Sequence, residues 1–212
     1  MKNFRKSVLA IISAAGLLCS VSCGEKGLKS TMSASDNSEL ATTAEEADLG
    51  EYVLSDDGIK LYYDSETYSA ELMATLEKYF VSFSENDYDS YLECIQSDYV
   101  EMMNSYLEEN YGYDLETSFN NQCDSLKEQA GGDYTVTRIK AEAPETDGSD
   151  DFMTSLQDAF GENFCNTVKN KSDALHDVAF YLMVNTGEEE TLLLSEYEIV
   201  FSEEDGKYYT FG

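Results

Sequence analysis

Basic residues are scarce in this sequence of 212 residues: 13 Lys and Arg stand against 43 Asp and Glu, for a formal net charge of −30. Nucleic-acid-binding proteins neutralise phosphates with Lys and Arg, so this composition excludes nucleic acid as a partner. It also excludes electrostatic attraction to an anionic membrane surface. The acids are expected to form a solvated, self-repelling surface, and a Ca²⁺ site or a cationic partner is the alternative.

Residue types that carry metal and nucleophilic chemistry are also few. Trp is absent, and His176 is the only histidine. The part of the chain that follows the N-terminal region contains Cys94, Cys123 and Cys165, none of them at a metal-ligand spacing. The sequence therefore predicts no catalytic residue, no metal site and no cofactor. Three buried thiols, or one disulfide and one thiol, are the two alternatives for the cysteines.

Two acid-rich stretches invite a calcium interpretation. One contains Asp87 and Asp89, and the other contains Asp147 and Asp151. Neither has the Gly and Glu positions of an EF-hand loop. Both precede apolar residues at helical spacing, so we expect these acids to cap helices.

Apolar residues are plentiful enough for a core. They make up 42% of the chain, and 12% of the residues are aromatic. This content excludes disorder along the whole chain, and the length suits one domain with an appendage.

The N-terminus has the layout of a secretory signal. Basic residues at positions 2, 5 and 6 precede an apolar run over residues 8–18, and small residues follow. The run is too short to span a bilayer. Residues 1–22 are therefore predicted to be a signal peptide.

Cys23 ends the sequence SVSC, which resembles the lipobox of bacterial lipoproteins, although Ser20 stands where that family usually has Leu. The resemblance implies that the Cys23 thiol carries a diacylglyceryl group and becomes the first residue of the mature chain. It also implies a membrane-anchored protein on the extracellular or periplasmic face. Cys19 fits less well, because the bulky Leu18 precedes it. An ordinary secreted protein is the alternative.

The segment after Cys23 lacks the apolar residues of a fold. Residues 24–50 are rich in Ser, Thr, Ala, Gly and acids, so they cannot bury enough surface to offset their ordering entropy. We predict that residues 23–50 form a lipid-anchored flexible tether and that residues 51–212 form a single domain.

Hydrophobic periodicity predicts helices first and strands last in that domain. Two short β-like pieces flank Asp57-Gly58 in residues 51–63. Helices are predicted from residue 67, after Asp87, over about 114–130 and over about 150–169, and strands over 133–142 and in three segments after residue 177. The sequence thus predicts an α+β domain whose N-terminal helices pack on a curved antiparallel sheet, formed mainly by the C-terminal strands.

The runs LEKYFVSFSENDYDSYLECIQSDYV and EYEIVFSEEDGKYYTF resemble nuclear transport factor two-like (cystatin-like cone) domains, in particular those carried by bacterial lipoproteins. The family often encloses a pocket in its cone. Its members act as enzymes, ligand binders or dimerising adaptors. The resemblance departs at residues 104–130, where the family usually has strands and this sequence predicts helix.

The expected function is a cell-surface lipoprotein that presents an acidic domain to a small molecule or a surface protein. An isomerase- or dehydratase-type enzyme with a cavity between helices and sheet is one alternative, and a homodimerisation module is another. Tyr181, Glu196 and Glu198 alternate out of phase with the apolar residues, which predicts that they lie on the outer face of the sheet. This placement counts against catalysis.

Overall fold

A computed structural model describes residues 49–187 and 189–212. The predicted signal peptide, Cys23 and all but the last two residues of the predicted tether lie outside these residues. The helices are α1 (Ala70–Glu85), α2 (Tyr88–Cys94), α3 (Ser97–Tyr111), α4 (Leu115–Ala130), α5 (Ser149–Phe160) and α6 (Glu162–Lys171). The strands are β1 (Val53–Leu54), β2 (Lys60–Tyr62), β3 (Thr135–Glu142), β4 (Ala174–Asn185), β5 (Glu190–Glu204) and β6 (Lys207–Thr210).

The strands form one curled sheet in the order β1-β2-β3-β4-β5-β6. Neighbouring strands are antiparallel except β2 and β3, which are parallel because the four helices α1–α4 connect them. The structure is the predicted α+β fold, with helices packed on a curved sheet. It has six strands where four were clear from the sequence.

The last hairpin forms at the predicted turn. Asp205 and Gly206 have φ angles of 52° and 73°, the left-handed values that a two-residue type I′ turn requires. This turn pairs β5 with β6 in the register Glu204 to Lys207.

The predicted second helix is two helices, because the chain leaves the helical path at Ile95 and Gln96 to meet the last strand. Ile95 forms a β-bridge with Thr210, and the amide of Gln96 donates to the carbonyl of Thr210 at 2.9 Å. The Gln96 side chain then caps α3 by accepting from the amide of Tyr99 at 2.8 Å. Sequence periodicity does not reveal this bridge, since its partners are more than a hundred residues apart.

The predicted helix over 150–169 is also interrupted. Its apolar residues keep a helical spacing through the break, but Gly161 has φ 88° and ψ 163°, a conformation open essentially to glycine alone. This residue ends α5 and begins α6.

The core lies between the helices and the sheet. It contains a cluster of rings from α1, α2 and α4, and Phe80 of α1 contacts Phe180 of β4 with ring centroids 4.7 Å apart. Cys94, Cys123 and Cys165 are buried in this core and form no disulfide among the described residues. Within the described ranges, no helix is long and apolar enough to cross a bilayer.

The acid pairs behave differently as caps. Asp87 is the N-cap of α2 and accepts from the amide of Ser90, as predicted. The N-cap of α5 is Gly148 rather than an acid, and Asp147, which precedes it, accepts from the amide of Ser149 at the start of the helix. The prediction of a capping aspartate was therefore correct at α2 and wrong at α5.

Candidate functional site

A pair of carboxylates lies where β4, β5 and the start of α5 meet. Asp177 pairs with Val200 across the two strands, and Glu198 pairs with Ala179 two residues further on. Because side chains alternate along a strand, Asp177 and Glu198 lie on the same face as diagonal neighbours. The sequence placed Glu198 on the outer face of the sheet, and the structure shows that side chain exposed.

The N-terminus of α5 covers Asp177. The amide of Gly148 donates to Asp177 Oδ2 at 2.6 Å. A Cβ atom at position 148 would lie 2.9 Å from Asp177 Oδ2 and 3.7 Å from Glu198 Oε2. A Cβ atom there would therefore collide with Asp177, while Glu198 Oε2 would lie at ordinary van der Waals distance, and glycine permits the close approach of Asp177.

These residues border a cavity of about 280 Å³. One part of its wall is acidic, with Asp151 of α5 beside Asp177 and Glu198. The other part is largely apolar and comprises Phe152, Ile199, Val200 and Phe211. The rings of Phe152 and Phe211 contact each other with centroids 4.9 Å apart, so this wall is packed. The volume falls just below the usual range for drug-sized ligands, which suits a small one.

Asp177 is the least solvated of the acids at the cavity. It is 9% exposed, and its Oδ1 is buried with no hydrogen-bond partner. Burial raises the pKa of Asp177, against the opposing effect of the Gly148 amide. Partial burial, and then the charge of Asp177, raise the pKa of Glu198. A buried carboxylate with spare acceptor capacity is costly, which makes it a marker of a functional site.

Tyr68 fixes the backbone beneath this pair. Its hydroxyl donates to the carbonyl of Glu142 at 2.9 Å and to the carbonyl of Asp177 at 3.2 Å. Burial, and then the nearby acids, raise the pKa of Tyr68 to about 12. The hydroxyl is therefore a protonated donor that joins the ends of β3 and β4 and is engaged by main-chain atoms.

A second buried acid lines a different groove. Glu77 of α1 is 7% exposed, and burial raises its pKa although Ser55 hydrogen-bonds to it. The groove, of about 530 Å³, runs between α1 and β1 and is more open to solvent than the cavity at Asp177. We therefore take the cavity at Asp177 as the candidate site.

The cysteines and the histidine lie apart from this cavity. Burial raises the pKa of Cys94 to about 12 and that of Cys123 to about 11, so both stay protonated thiols at neutral pH. His176 Nε2 lies 2.8 Å from Glu203 Oε2, and its ring contacts Tyr208. In these contacts the partners of His176 are Glu203 and Tyr208, not a cysteine that it could activate.

Among the described residues, no group of three or more His, Cys, Asp or Glu side chains is placed to hold a metal ion. In the acid pairs considered for calcium, hydrogen bonds from the side chain and then the amide of Ser90 lower the pKa of Asp87, and those from Ser149 lower the pKa of Asp147.

Sequence reasoning missed Asp177. A single acid near the start of a strand, in the phase opposite to the apolar residues, is usually solvent-exposed. Asp177 is buried because α5 begins directly after Gly148 and covers this corner of the sheet. The glycine in TDGSDD was the one local signal, and it pointed equally well to a turn.

No protein-family model matches this chain, and neither the curated proteins nor the solved structures contain a significant match.

Proposed function

We propose that this protein is an exported lipoprotein, anchored through Cys23, whose α+β domain binds a small molecule in the cavity at Asp177. The observation that carries the binding proposal is the unpartnered Oδ1 of a buried carboxylate at a cavity with an aromatic wall. An acceptor of this kind costs free energy unless a ligand supplies the missing donor.

The anchor is supported by the sequence alone: a basic segment, a short apolar run and small residues lead to Cys23. Two or more acyl chains on this cysteine would hold the protein stably at a membrane. Residues 24–50, as a random coil, would let the domain stand roughly 25–30 Å from the surface. Such a display suits a protein that captures a ligand outside the cell.

Lipidation is tested by expressing the full chain in a bacterium with a fatty-acid probe. The protein should take up the probe and enter the detergent phase, and Cys23→Ala should abolish both properties. Cys19→Ala is the matched control and should change neither. Probe uptake by the Cys23→Ala variant would refute the anchor.

Ligand binding is tested with residues 23–212 carrying Cys23→Ala. A library of cationic, neutral and anionic small molecules is screened by thermal shift against this protein and two variants. Val200→Phe fills the cavity wall, and Thr191→Phe places the same ring on β5 outside the cavity. Hits should stabilise the parent and Thr191→Phe but not Val200→Phe. Failure of every charge class, or equal responses of both variants, would contradict the proposal.

An enzyme is the second candidate, favoured by a carboxylate with a raised pKa at a partly apolar cavity. Catalysis of the isomerase or dehydratase type also needs a donor for the developing oxyanion. Tyr68 donates to main-chain carbonyls, and so do the cavity hydroxyls of Ser155 and Thr210. Binding therefore accounts for the cavity better than catalysis.

A homodimer is the third candidate, favoured by the exposed apolar residues at the edge strand. Tyr52, Val53 and Leu54 are 46%, 54% and 60% exposed, and β1 has a free edge within the described sheet. Sedimentation should then show a dimer that Leu54→Lys dissociates. A monomer at all concentrations would exclude this candidate.

A further inference from the structure

The polar groups at the Asp177 cavity are acceptors. The hydroxyl of Ser155 donates to the carbonyl of Asp151 at 2.9 Å, and the hydroxyl of Thr210 donates to the carbonyl of Val200 at 3.1 Å. The amide of Gly148 is already taken by Asp177. Because these three donors are already engaged, the groups offer a ligand only acceptor lone pairs. The ligand must therefore donate the hydrogen bonds.

The charge of the cavity is of one sign. Asp151, Asp177 and Glu198 line it, and none of its described lining residues is Lys, Arg or His. None of the ion pairs among the described residues includes any of these three acids. The negative charge is therefore not neutralised within the described part of the protein, and a cationic ligand would meet no repulsion from its walls.

The apolar wall distinguishes an organic cation from a metal ion. Calcium takes six to eight oxygen ligands, and magnesium needs a nearly complete octahedron of oxygens. Here the rings of Phe152 and Phe211 form part of the wall, together with Ile199 and Val200. Aliphatic and aromatic side chains suit a hydrocarbon body, and an aromatic face attracts the positive charge of a substituted ammonium group.

We infer that the ligand of this cavity is a small organic cation, in which an ammonium group donates to the carboxylate of Asp177 while an apolar body packs against Phe152 and Phe211. This inference rests on the proposed binding function and names the ligand class of that same site. Glu198 and Asp151 add charge at the wall, and Asp177 supplies the buried acceptor.

Three probes with one hydrocarbon body and different head groups test the inference: phenethylammonium, 2-phenylethanol and phenylacetate. Their affinities are measured by NMR titration of residues 23–212 carrying Cys23→Ala, with calcium chloride as a fourth probe. Asp177→Asn keeps an acceptor for the Gly148 amide and removes the charge. Asp124→Asn makes the same change at an exposed acid of α4, away from the cavity.

Phenethylammonium should bind at least about tenfold more tightly than the alcohol or the carboxylate, as expected for a charge-assisted hydrogen bond. Its amide shifts should cluster around Gly148, Phe152 and Val200. Asp177→Asn should remove the preference for the ammonium group, and Asp124→Asn should preserve it. Calcium should not displace the ammonium probe at equal ionic strength.

Equal binding of the ammonium and the alcohol in the cavity would overturn the inference while leaving the binding function intact. Displacement of the ammonium probe by calcium would replace the organic cation with a metal. Absence of ammonium binding would also overturn it, and the library screen then decides separately whether the cavity binds neutral or anionic molecules. An ammonium preference unchanged in Asp177→Asn would show that a different acid carries the recognition.

Discussion

The carboxylate of Asp177 is held against the backbone of Gly148, with 2.6 Å between Oδ2 and the amide nitrogen. This hydrogen bond joins the start of α5 to β4 of the sheet. It satisfies one oxygen of the carboxylate, while Oδ1 is buried without a partner. The stability of the protein and its proposed function therefore meet at one side chain.

Asp177→Asn should stabilise the protein at neutral pH. The pKa of Asp177 is raised in the folded state, so folding at pH 7 requires burial of a charge that the unfolded chain exposes to water. We expect the free energy of unfolding to rise, because the amide removes the buried charge and still accepts from Gly148. Urea unfolding at pH 7 measures it, with Asp124→Asn as the control that should change stability by less than about 0.5 kcal/mol.

The sign of the pH dependence follows from the same shift. Below the pKa that Asp177 has in the unfolded chain, its carboxyl is protonated in both states and no charge is buried. As the pH rises through the pKa of the folded state, the buried carboxyl ionises and the protein loses stability. The advantage of Asp177→Asn should therefore shrink toward zero as the pH falls to about 3–4. An advantage that is absent at pH 7, or that is independent of pH, would contradict the assigned cost of this charge.

Gly148→Ala should destabilise the protein, because its Cβ would lie 2.9 Å from Asp177 Oδ2. We expect a loss of about 1–3 kcal/mol, which is typical of overpacking a tight contact. In an Asp177→Ala background the colliding oxygen is gone, so the same substitution should cost less. A double-mutant cycle by urea unfolding measures this coupling, and additive losses would exclude the collision.

The helices and hairpins followed from local chemistry that the sequence displays. Leu72 and Leu76 of α1 recur at helical spacing and are buried, Asp87 caps α2, and Asp205-Gly206 makes the last turn. Each of these features is decided by residues within about one or two helical turns, which is the range that patterns report.

The breaks and the site depend on contacts that are distant in sequence. The bridge from Ile95 to Thr210 interrupts a helical pattern, and the cover that α5 provides makes a buried acid of Asp177. Glu198, by contrast, is exposed as its strand phase predicts. The sequence could thus predict on which face of the sheet these acids lie. It could not predict which helix covers that face.

Gly161→Ala should destabilise the protein by about 1–3 kcal/mol, because L residues rarely adopt its backbone conformation. A Cβ there would meet no atom within 4 Å, so the loss would come from the backbone alone. Thermal and urea unfolding measure it, with Gln157→Ala on the exposed face of α5 as the control. An unchanged stability would show that α5 and α6 can merge into one helix, as periodicity predicted.

Salt should stabilise the domain, since residues 51–212 carry a net charge of about −29 and their like charges repel one another at low ionic strength. Sodium chloride near physiological strength screens exposed charges beyond roughly 8–10 Å and should raise the melting temperature. Calcium chloride at equal ionic strength should do little more. A large calcium-specific shift that Asp87→Asn or Asp147→Asn abolishes would reveal a metal site instead of local hydrogen bonding.

The most direct test of the account is a crystal structure of the protein with the tightest ligand from the library screen. The ligand should lie in the cavity, with a donor on the carboxylate of Asp177 and its body against Phe152 and Phe211. A ligand bound in the groove beside Glu77, with the cavity at Asp177 unchanged, would contradict it.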